Sequence, residues 1–302
     1  MARILICDPV DDAALKAIRD GGHEVVEKTG MSPEELLETA PQFDALVVRS
    51  ATKVRKPVLE KAARGNLKLI VRGGVGLDNI DTDVAAGLGI TVNNTPAASS
   101  VAVAELAMAQ MLACSRFLGP ANLTMKNGEW NKKSYGKGKE LFGSTLGLIG
   151  FGRISCEVAR MARGFGMKVI FFDPYIDDAE DAQKVDLDTL LGNSDFISLH
   201  IPHNKDTHYL LDSAQFGMMK DGVVIVNCAR GGTVNEAALL AALDSGKVFA
   251  AGVDVFEEEP PGDSPLVKHQ KVVVTPHIGA GTAAAKKRVG TEVARKINSF
   301  FE

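Results

Sequence analysis

A guanidinium, an imidazole and a carboxylate stand just beyond short apolar runs in the second half of this chain. Arg230 follows Val223–Val226 and Asn227-Cys228-Ala229, and precedes Gly231-Gly232, so its backbone is poised for close approach to a ligand. A guanidinium binds a carboxylate, or a carbonyl–carboxylate pair, as a bidentate fork. His277 follows Val272–Val274 within Thr275-Pro276-His277 and can move a proton near neutral pH. Glu259 ends the acidic run Glu257-Glu258-Glu259, and a carboxylate beside His277 would fix its tautomer and support its positive charge. An anchor for an acid and a base for a hydroxyl proton are two of the three parts that oxidation of a 2-hydroxy acid needs. Taken singly, each has a plainer reading: a structural histidine, a solvated arginine, an acidic surface face.

The third part is a hydride acceptor, and Leu146–Pro174 points to one. The apolar run Thr145–Ile149 leads into Gly150-Phe151-Gly152, then the amphipathic Arg153–Arg163, then a second apolar run, Lys168–Phe172, ending on Asp173. Strand, glycine turn, helix, strand and a terminal acid about twenty residues past the glycines form the dinucleotide-binding fingerprint. Gly150 and Gly152 let backbone approach a pyrophosphate, and the helix start at Arg153 and Ile154 offers free N–H groups and a positive dipole end. Asp173 can accept hydrogen bonds from ribose hydroxyls and would repel a 2′-phosphate, which favours NAD over NADP. The third glycine position holds Ser155, small enough to require only a slight adjustment.

Alternating elements must position these groups. Arg3–Cys7, His23–Glu27, Ala45–Val48, Leu67–Val71 and Ile90–Val92 read as strands, separated by helices at Asp12–Arg19, from Ser32-Pro33-Glu34-Glu35 onward, and at Pro57–Arg64. Strands without polar alternation between helices indicate parallel sheets covered on both faces. Ser99–Leu118 reads as one long buried helix joining two domains. Asn122–Leu141 reads as a polar, basic excursion, either a solvated arm or a segment with a function; it holds Trp130 and Lys132. Phe196–Leu199, Val223–Val226, Ala250–Val253 and Val272–Val274 are further strands, with the helix Asn235–Ser245 among them. Polar clusters follow each, including Pro202 and Asp254, and ligands bind at the carboxyl ends of such strands. The final helix, Ala283–Phe301, should pack back on the first domain.

The 302 residues suggest about two domains. A net charge of −4 gives no reason to expect nucleic-acid binding. No apolar run is long enough to cross a bilayer, and the N-terminus lacks the pattern of a secretory signal. Cys7, Cys114, Cys156 and Cys228 have neither disulfide-framework nor metal-ligand spacing, so no metal and a reducing cytoplasm are expected.

Asn227–Gly232, Asp254–Pro260 and Thr275–Ala280, together with the fingerprint, resemble the signature blocks of the D-2-hydroxyacid dehydrogenase family, over essentially the whole chain. Val48–Val54, Arg72–Asp81 and Trp130–Lys133 are most similar to members acting on D-3-phosphoglycerate. The resemblance implies an NAD-dependent oxidation of 3-phosphoglycerate to 3-phosphohydroxypyruvate, the first step of phosphorylated serine synthesis. It implies Arg230, Glu259 and His277 as catalytic residues. It implies cofactor contacts at Gly150, Gly152, Arg153, Ile154, Asp173, Pro202, Thr207, Cys228, Ala229, Arg230, Asp254, His277 and Gly279. Substrate contacts carry over onto Arg49, Ser50, Arg72, the Gly74-Val75-Gly76 loop and Lys132. Arg49, Arg72 and Lys132 would meet the phosphate, Lys132 from a second subunit; three solvated cations are the alternative. Family members often have threonine where this chain has Val75; a backbone contact survives that change, a hydroxyl contact does not.

The implied fold is α/β: a Rossmann-type NAD-binding domain (97–283) inserted into a flavodoxin-like substrate-binding domain (1–96 and 284–302), in homodimers or homotetramers. Longer members append a serine-binding regulatory domain, expected to be absent here because the chain ends at Glu302. A glyoxylate/hydroxypyruvate reductase, a D-lactate dehydrogenase and an NAD-binding corepressor remain alternatives.

Overall fold

The computed structural model describes residues 1–302 and divides into two compact units. Unit 1 comprises Met1–Ser99 with Ala280–Glu302; unit 2 is Ser100–Gly279.

Unit 1 contains β1 (Arg3–Ile6), α1 (Asp12–Asp20), β2 (Glu24–Glu27), α2 (Pro33–Thr39), β3 (Ala45–Val48), α3 (Lys56–Ala62), β4 (Leu69–Arg72), α4 (Thr82–Gly87) and β5 (Thr91–Asn94). Its sheet is parallel, in the order β2-β1-β3-β4-β5, the flavodoxin-like arrangement. Successive strand residues feed opposite cores. Ile4, Ile6, Ala45, Val47, Leu69 and Val71 form one cluster, whereas Leu5, Leu46, Val48 and Ile70 belong to the other. Both faces are therefore dry, which is why these strands lack polar alternation. The expected capping box starts α2: Ser32 Oγ accepts from Glu35 N–H, and the Glu35 carboxylate accepts from Ser32 N–H.

Unit 2 contains α5 (Ser100–Ser115), α6 (Leu118–Lys126), β6 (Thr145–Ile149), α7 (Arg153–Gly164), β7 (Lys168–Phe172), β8 (Gln183–Lys184), α8 (Leu187–Asn193), β9 (Phe196–Leu199), α9 (Ser213–Met218), β10 (Val223–Asn227), α10 (Glu236–Asp244), β11 (Val248–Val253), α11 (Pro265–Lys268) and β12 (Val272–Val274). The parallel sheet runs β12-β11-β10-β9-β6-β7-β8. From β6 the strand order runs outward in both directions, so the topological switch lies between β6 and β9, where doubly wound sheets open a crevice. The last helix, α12 (Ala283–Phe301), returns to unit 1 and packs on α1, closely enough that a Cβ on Gly290 would lie 2.9 Å from Ala14 Cβ.

Two readings need correction. Ser99–Leu118 is not one helix: α5 ends at Ser115, Phe117 adopts a left-handed conformation (φ 54°), and α6 begins at Leu118. Pro120 explains the break, because its ring cannot follow a continuous helix without meeting the carbonyl of Arg116. Consequently the start of the supposed excursion, through Lys126, is helical. No single helix is long and apolar enough to cross a membrane.

Candidate active site

The glycine turn sits at the switch point. Gly150 has φ 84°, and a Cβ there would come within 2.6 Å of Ile201 Cγ2 and 2.8 Å of the His200 carbonyl, so only glycine fits. Gly152 is the N-cap of α7, with no side-chain cap and open space where a Cβ would stand. An uncapped helix start with room above it fits a dinucleotide pyrophosphate. Ser155, at the third glycine position, is fully buried and donates Oγ–H to the Gly150 carbonyl at 2.6 Å. The departure from the fingerprint thus braces the turn.

Asp173 also acts on the turn. Its Oδ2 accepts from Phe151 N–H at 2.8 Å, and Oδ1 accepts from Tyr175 and Ile176 N–H at 2.8 and 3.1 Å. A carboxylate so placed organises the loop. Replacing Asp173 with alanine is therefore expected to weaken NAD binding and also narrow the preference for NAD over NADP, since 2′-phosphate repulsion is removed. Dissociation constants for both cofactors in wild type and variant check this. A wild type that binds NADP as well as NAD overturns the assignment.

Pro202 and Thr207 share a closed loop: Thr207 Oγ1 donates to the Pro202 carbonyl at 2.7 Å and accepts from Asn204 N–H at 2.8 Å. His200, just ahead of it, escaped the sequence reading. Its Nε2 lies 3.0 Å from Ser198 Oγ, while its Nδ1 is buried without a partner. Desolvation pushes its pKa down to about 4 from an ordinary 6.5, so the ring is neutral at neutral pH. Above pH 6.5 the ring is neutral in both folded and unfolded chains. As the pH falls from 6.5 toward about 4, the unfolded chain takes up the proton first, so stability drops, by at most about 3 kcal/mol, and then levels off. Urea denaturation of wild type and His200→Gln across that window is expected to show a shallower decline in the variant. Parallel declines overturn the account.

The Arg230 turn is stitched by Asn227, whose Oδ1 accepts from Ala229 N–H at 3.0 Å and whose Nδ2 donates to the Arg230 carbonyl at 3.1 Å. Gly231 packs directly on the Phe256 carbonyl, leaving no room for a Cβ. The half-buried Arg230 side chain donates Nη1–H to the Ala229 carbonyl at 2.6 Å. Burial pushes the Cys228 thiol pKa far up, so it is a neutral donor, 3.4 Å from Gln110 Oε1.

His277 and Glu259 meet as expected: Nδ1 lies 2.7 Å from Glu259 Oε2. The pair is partly exposed, with 44% and 38% of the side chains accessible. A cavity of about 370 Å³ lies beside it, lined largely by apolar groups such as Phe256, Pro260, Val267 and Val274. His277 is itself left-handed (φ 52°), a conformation that costs a non-glycine residue on the order of 1 kcal/mol. Asp254 holds it there. The Asp254 carbonyl accepts from His277 N–H at 2.9 Å. Its carboxylate, 1% exposed, accepts from Ile278 N–H, Gly279 N–H and Thr275 Oγ–H at 2.9, 2.8 and 2.6 Å. Asp254 thereby organises the His277 loop.

Gln110 joins this network and was also missed. Buried on α5, it donates Nε2–H to Thr275 Oγ1 at 3.0 Å. Gly252 on β11 makes space for it, since a Cβ there would fall 2.7 Å from the Gln110 side chain. A lone glutamine in an apolar helix was the available signal.

In unit 1, the half-buried Arg72 lies across Gly74, occupying the place of a Cβ, and Arg49 Cγ lies 3.4 Å from where a Cβ on Gly73 would stand. Ser50 is exposed beside Arg49. The Gly74 and Val75 carbonyls accept from Thr95 N–H at 2.9 Å and Asn94 Nδ2–H at 2.5 Å. The Gly74 N–H is engaged as well, donating to the Arg72 carbonyl at 2.9 Å, so the N–H groups of Val75 and Gly76 are what the loop offers an anion. Lys132 is exposed on a turn in unit 2.

Comparisons with known proteins give the family and the fold. Residues 108–279 match the model for D-isomer specific 2-hydroxyacid dehydrogenase, NAD binding domain. The chain is 50% identical to a hydroxypyruvate reductase of Thermotoga maritima, over 98% of this chain and 97% of that protein. It is 47% identical to a D-3-phosphoglycerate dehydrogenase of Methanocaldococcus jannaschii, over 100% of this chain but 58% of that protein. Among solved structures, a glyoxylate reductase from Paecilomyes thermophila superposes with a TM-score of 0.91 at 32% identity, covering 99% of this chain and 95% of that one. The glycine turn, the acid after β7 and the matched blocks lead to one conclusion: the chain belongs to the D-isomer specific 2-hydroxyacid dehydrogenase family of NAD-dependent oxidoreductases.

Proposed function

We propose that this protein oxidises D-3-phosphoglycerate to 3-phosphohydroxypyruvate, the entry reaction of phosphorylated serine synthesis, as a cytoplasmic homodimer. The observation that carries the substrate class is the pair of arginines, Arg49 and Arg72, bedded on the adjacent glycines Gly73 and Gly74. A dianionic phosphate calls for such a pair, with Lys132 as a third cation. Exposed apolar side chains on and just after α6, Leu118, Leu123, Met125 and Trp130, support association of two copies through that arm.

In this reading the Gly74–Gly76 backbone and Arg230 hold the carboxylate and the oxygen on the reacting carbon. His277, oriented through Nδ1 by Glu259, takes the hydroxyl proton at Nε2. The NAD that Gly150, Gly152, Arg153, Ile154 and Asp173 would hold supplies the hydride acceptor. As the C–H bond breaks, the developing carbonyl keeps its oxygen against the Arg230 guanidinium, which stabilises charge on it.

Hydroxypyruvate reduction is the second reading, favoured by the 50% identity with the Thermotoga maritima protein. A substrate panel decides between them. Reduction of 3-phosphohydroxypyruvate and of hydroxypyruvate, each with NADH, is expected to show kcat/KM at least about tenfold higher for the phosphorylated acid, as one charge-assisted contact would supply. Equal or reversed values place the protein with the hydroxypyruvate reductases.

A further inference from the structure

We infer that Asp8 and Asn79 are positioning residues that set specificity for a phosphorylated substrate, by clamping the loop Arg49–Thr52. The inference rests on the reading that Arg49 meets the phosphate.

The loop leaves the sheet at the end of β3 and contains no proline to stiffen it. Two buried side chains hold it instead. Asp8, 4% exposed, stands past the carboxyl end of β1, the strand paired with β3. Its Oδ2 accepts from Arg49 N–H at 2.5 Å and Thr52 N–H at 3.2 Å, and its Oδ1 accepts from Thr52 Oγ–H at 2.9 Å. Asn79, 9% exposed, donates Nδ2–H to the Arg49 and Thr52 carbonyls, both at 2.7 Å. Its own carbonyl accepts from Val54 N–H at 2.8 Å. Thus a buried acceptor takes both N–H groups and a buried amide serves both carbonyls. This division requires an acid at one position and an amide at the other, because a carboxylate cannot donate to a carbonyl.

The clamp acts on one part of the substrate. Under the proposed roles, the carboxylate and reacting carbon are held by Gly74–Gly76, Arg230 and His277, none of which lies on this loop. Only Arg49 does. Loosening the loop makes the Arg49 side chain pay ordering entropy when phosphate binds, and leaves an unphosphorylated acid untouched. Immobilising one such side chain corresponds to about three- to tenfold in affinity.

The test uses the whole chain and three variants, Asn79→Ala, Asp8→Asn and Arg49→Ala, with thermal melting to confirm folding. Steady-state reduction of 3-phosphohydroxypyruvate and hydroxypyruvate is measured, with inorganic phosphate as an inhibitor of the second reaction. Asn79→Ala is expected to raise KM for the phosphorylated acid, and the phosphate inhibition constant, about three- to tenfold, with kcat and hydroxypyruvate kinetics within about twofold. Asp8→Asn keeps one acceptor oxygen and turns the other into a donor, and should show a smaller shift of the same kind. Equal losses on both acids, or no change on either, overturn the clamp. Should Asn79→Ala fail to fold, Thr52→Val removes the hydroxyl contacts to Asp8 and to the Cys7 carbonyl while keeping the backbone ones; a selective rise in KM supports the clamp and an unselective loss overturns it. Arg49→Ala separates the two ideas. A selective loss there beside an unselective Asn79→Ala rejects the clamp alone, whereas an unselective Arg49→Ala rejects the phosphate reading itself.

Discussion

Replacing His277 by alanine is expected to lower kcat by about a hundred- to ten-thousandfold, the range that a positioned acid–base group contributes. NAD binding should change little, because the pyrophosphate and ribose contacts proposed for NAD are made by other groups, the Gly150 turn, the α7 N-terminus and Asp173. The geometry gives the reason. Nδ1 is committed to Glu259 at 2.7 Å, which leaves Nε2 as the atom that can take a hydroxyl proton. Glu259→Gln keeps a hydrogen-bonding group but removes the charge, so a smaller loss, about tenfold or more, is expected there. Asp254 is a poor substitute target, since its carboxylate anchors the whole Thr275–Gly279 turn. Single-turnover rates and NAD titrations of His277→Ala check the prediction. An unchanged rate would remove His277 from the reaction.

Substituting Arg72 with alanine is expected to lower kcat/KM for the phosphorylated acid by about tenfold or more, and to leave hydroxypyruvate within about twofold. A charge-assisted contact contributes roughly 1.5–3 kcal/mol, which sets that scale. Selectivity is the informative part. Arg72 packs across Gly74, so its loss could also disturb the loop proposed to hold the substrate carboxylate. A disturbed loop would harm both substrates alike, whereas a lost phosphate contact harms one. Lys132→Ala is expected to share the selective pattern. Mixed dimers, each copy carrying one of the two substitutions, should regain activity if Lys132 serves the other copy. Equal losses on both acids assign these cations to folding.

Much of the arrangement was legible in the residues themselves. Strands dry on both faces have to be apolar throughout, so Ala45–Val48, Phe196–Leu199 and Thr145–Ile149 announced buried parallel strands. Gly150 was readable because its backbone conformation and its approach to His200 exclude every side chain, and Ser32–Glu35 because capping is a local bond between near neighbours. The pairing of His277 with Glu259 followed from groups at the ends of adjacent strands.

What the tertiary structure decided involves partners distant in sequence or conformations that local pattern does not encode. Asp8 reaches the Arg49–Thr52 loop, Asn79 reaches it from the other side, and Gln110 reaches Thr275; nothing near each residue in the chain reveals its partner. The left-handed turn at His277 depends on the carbonyl and carboxylate of Asp254, which belong to a different strand end. The depressed pKa of His200 arises from desolvation, which exists only once the surrounding strands have assembled. Composition and periodicity determine which faces must leave water; which buried polar groups then find each other is settled by packing in three dimensions.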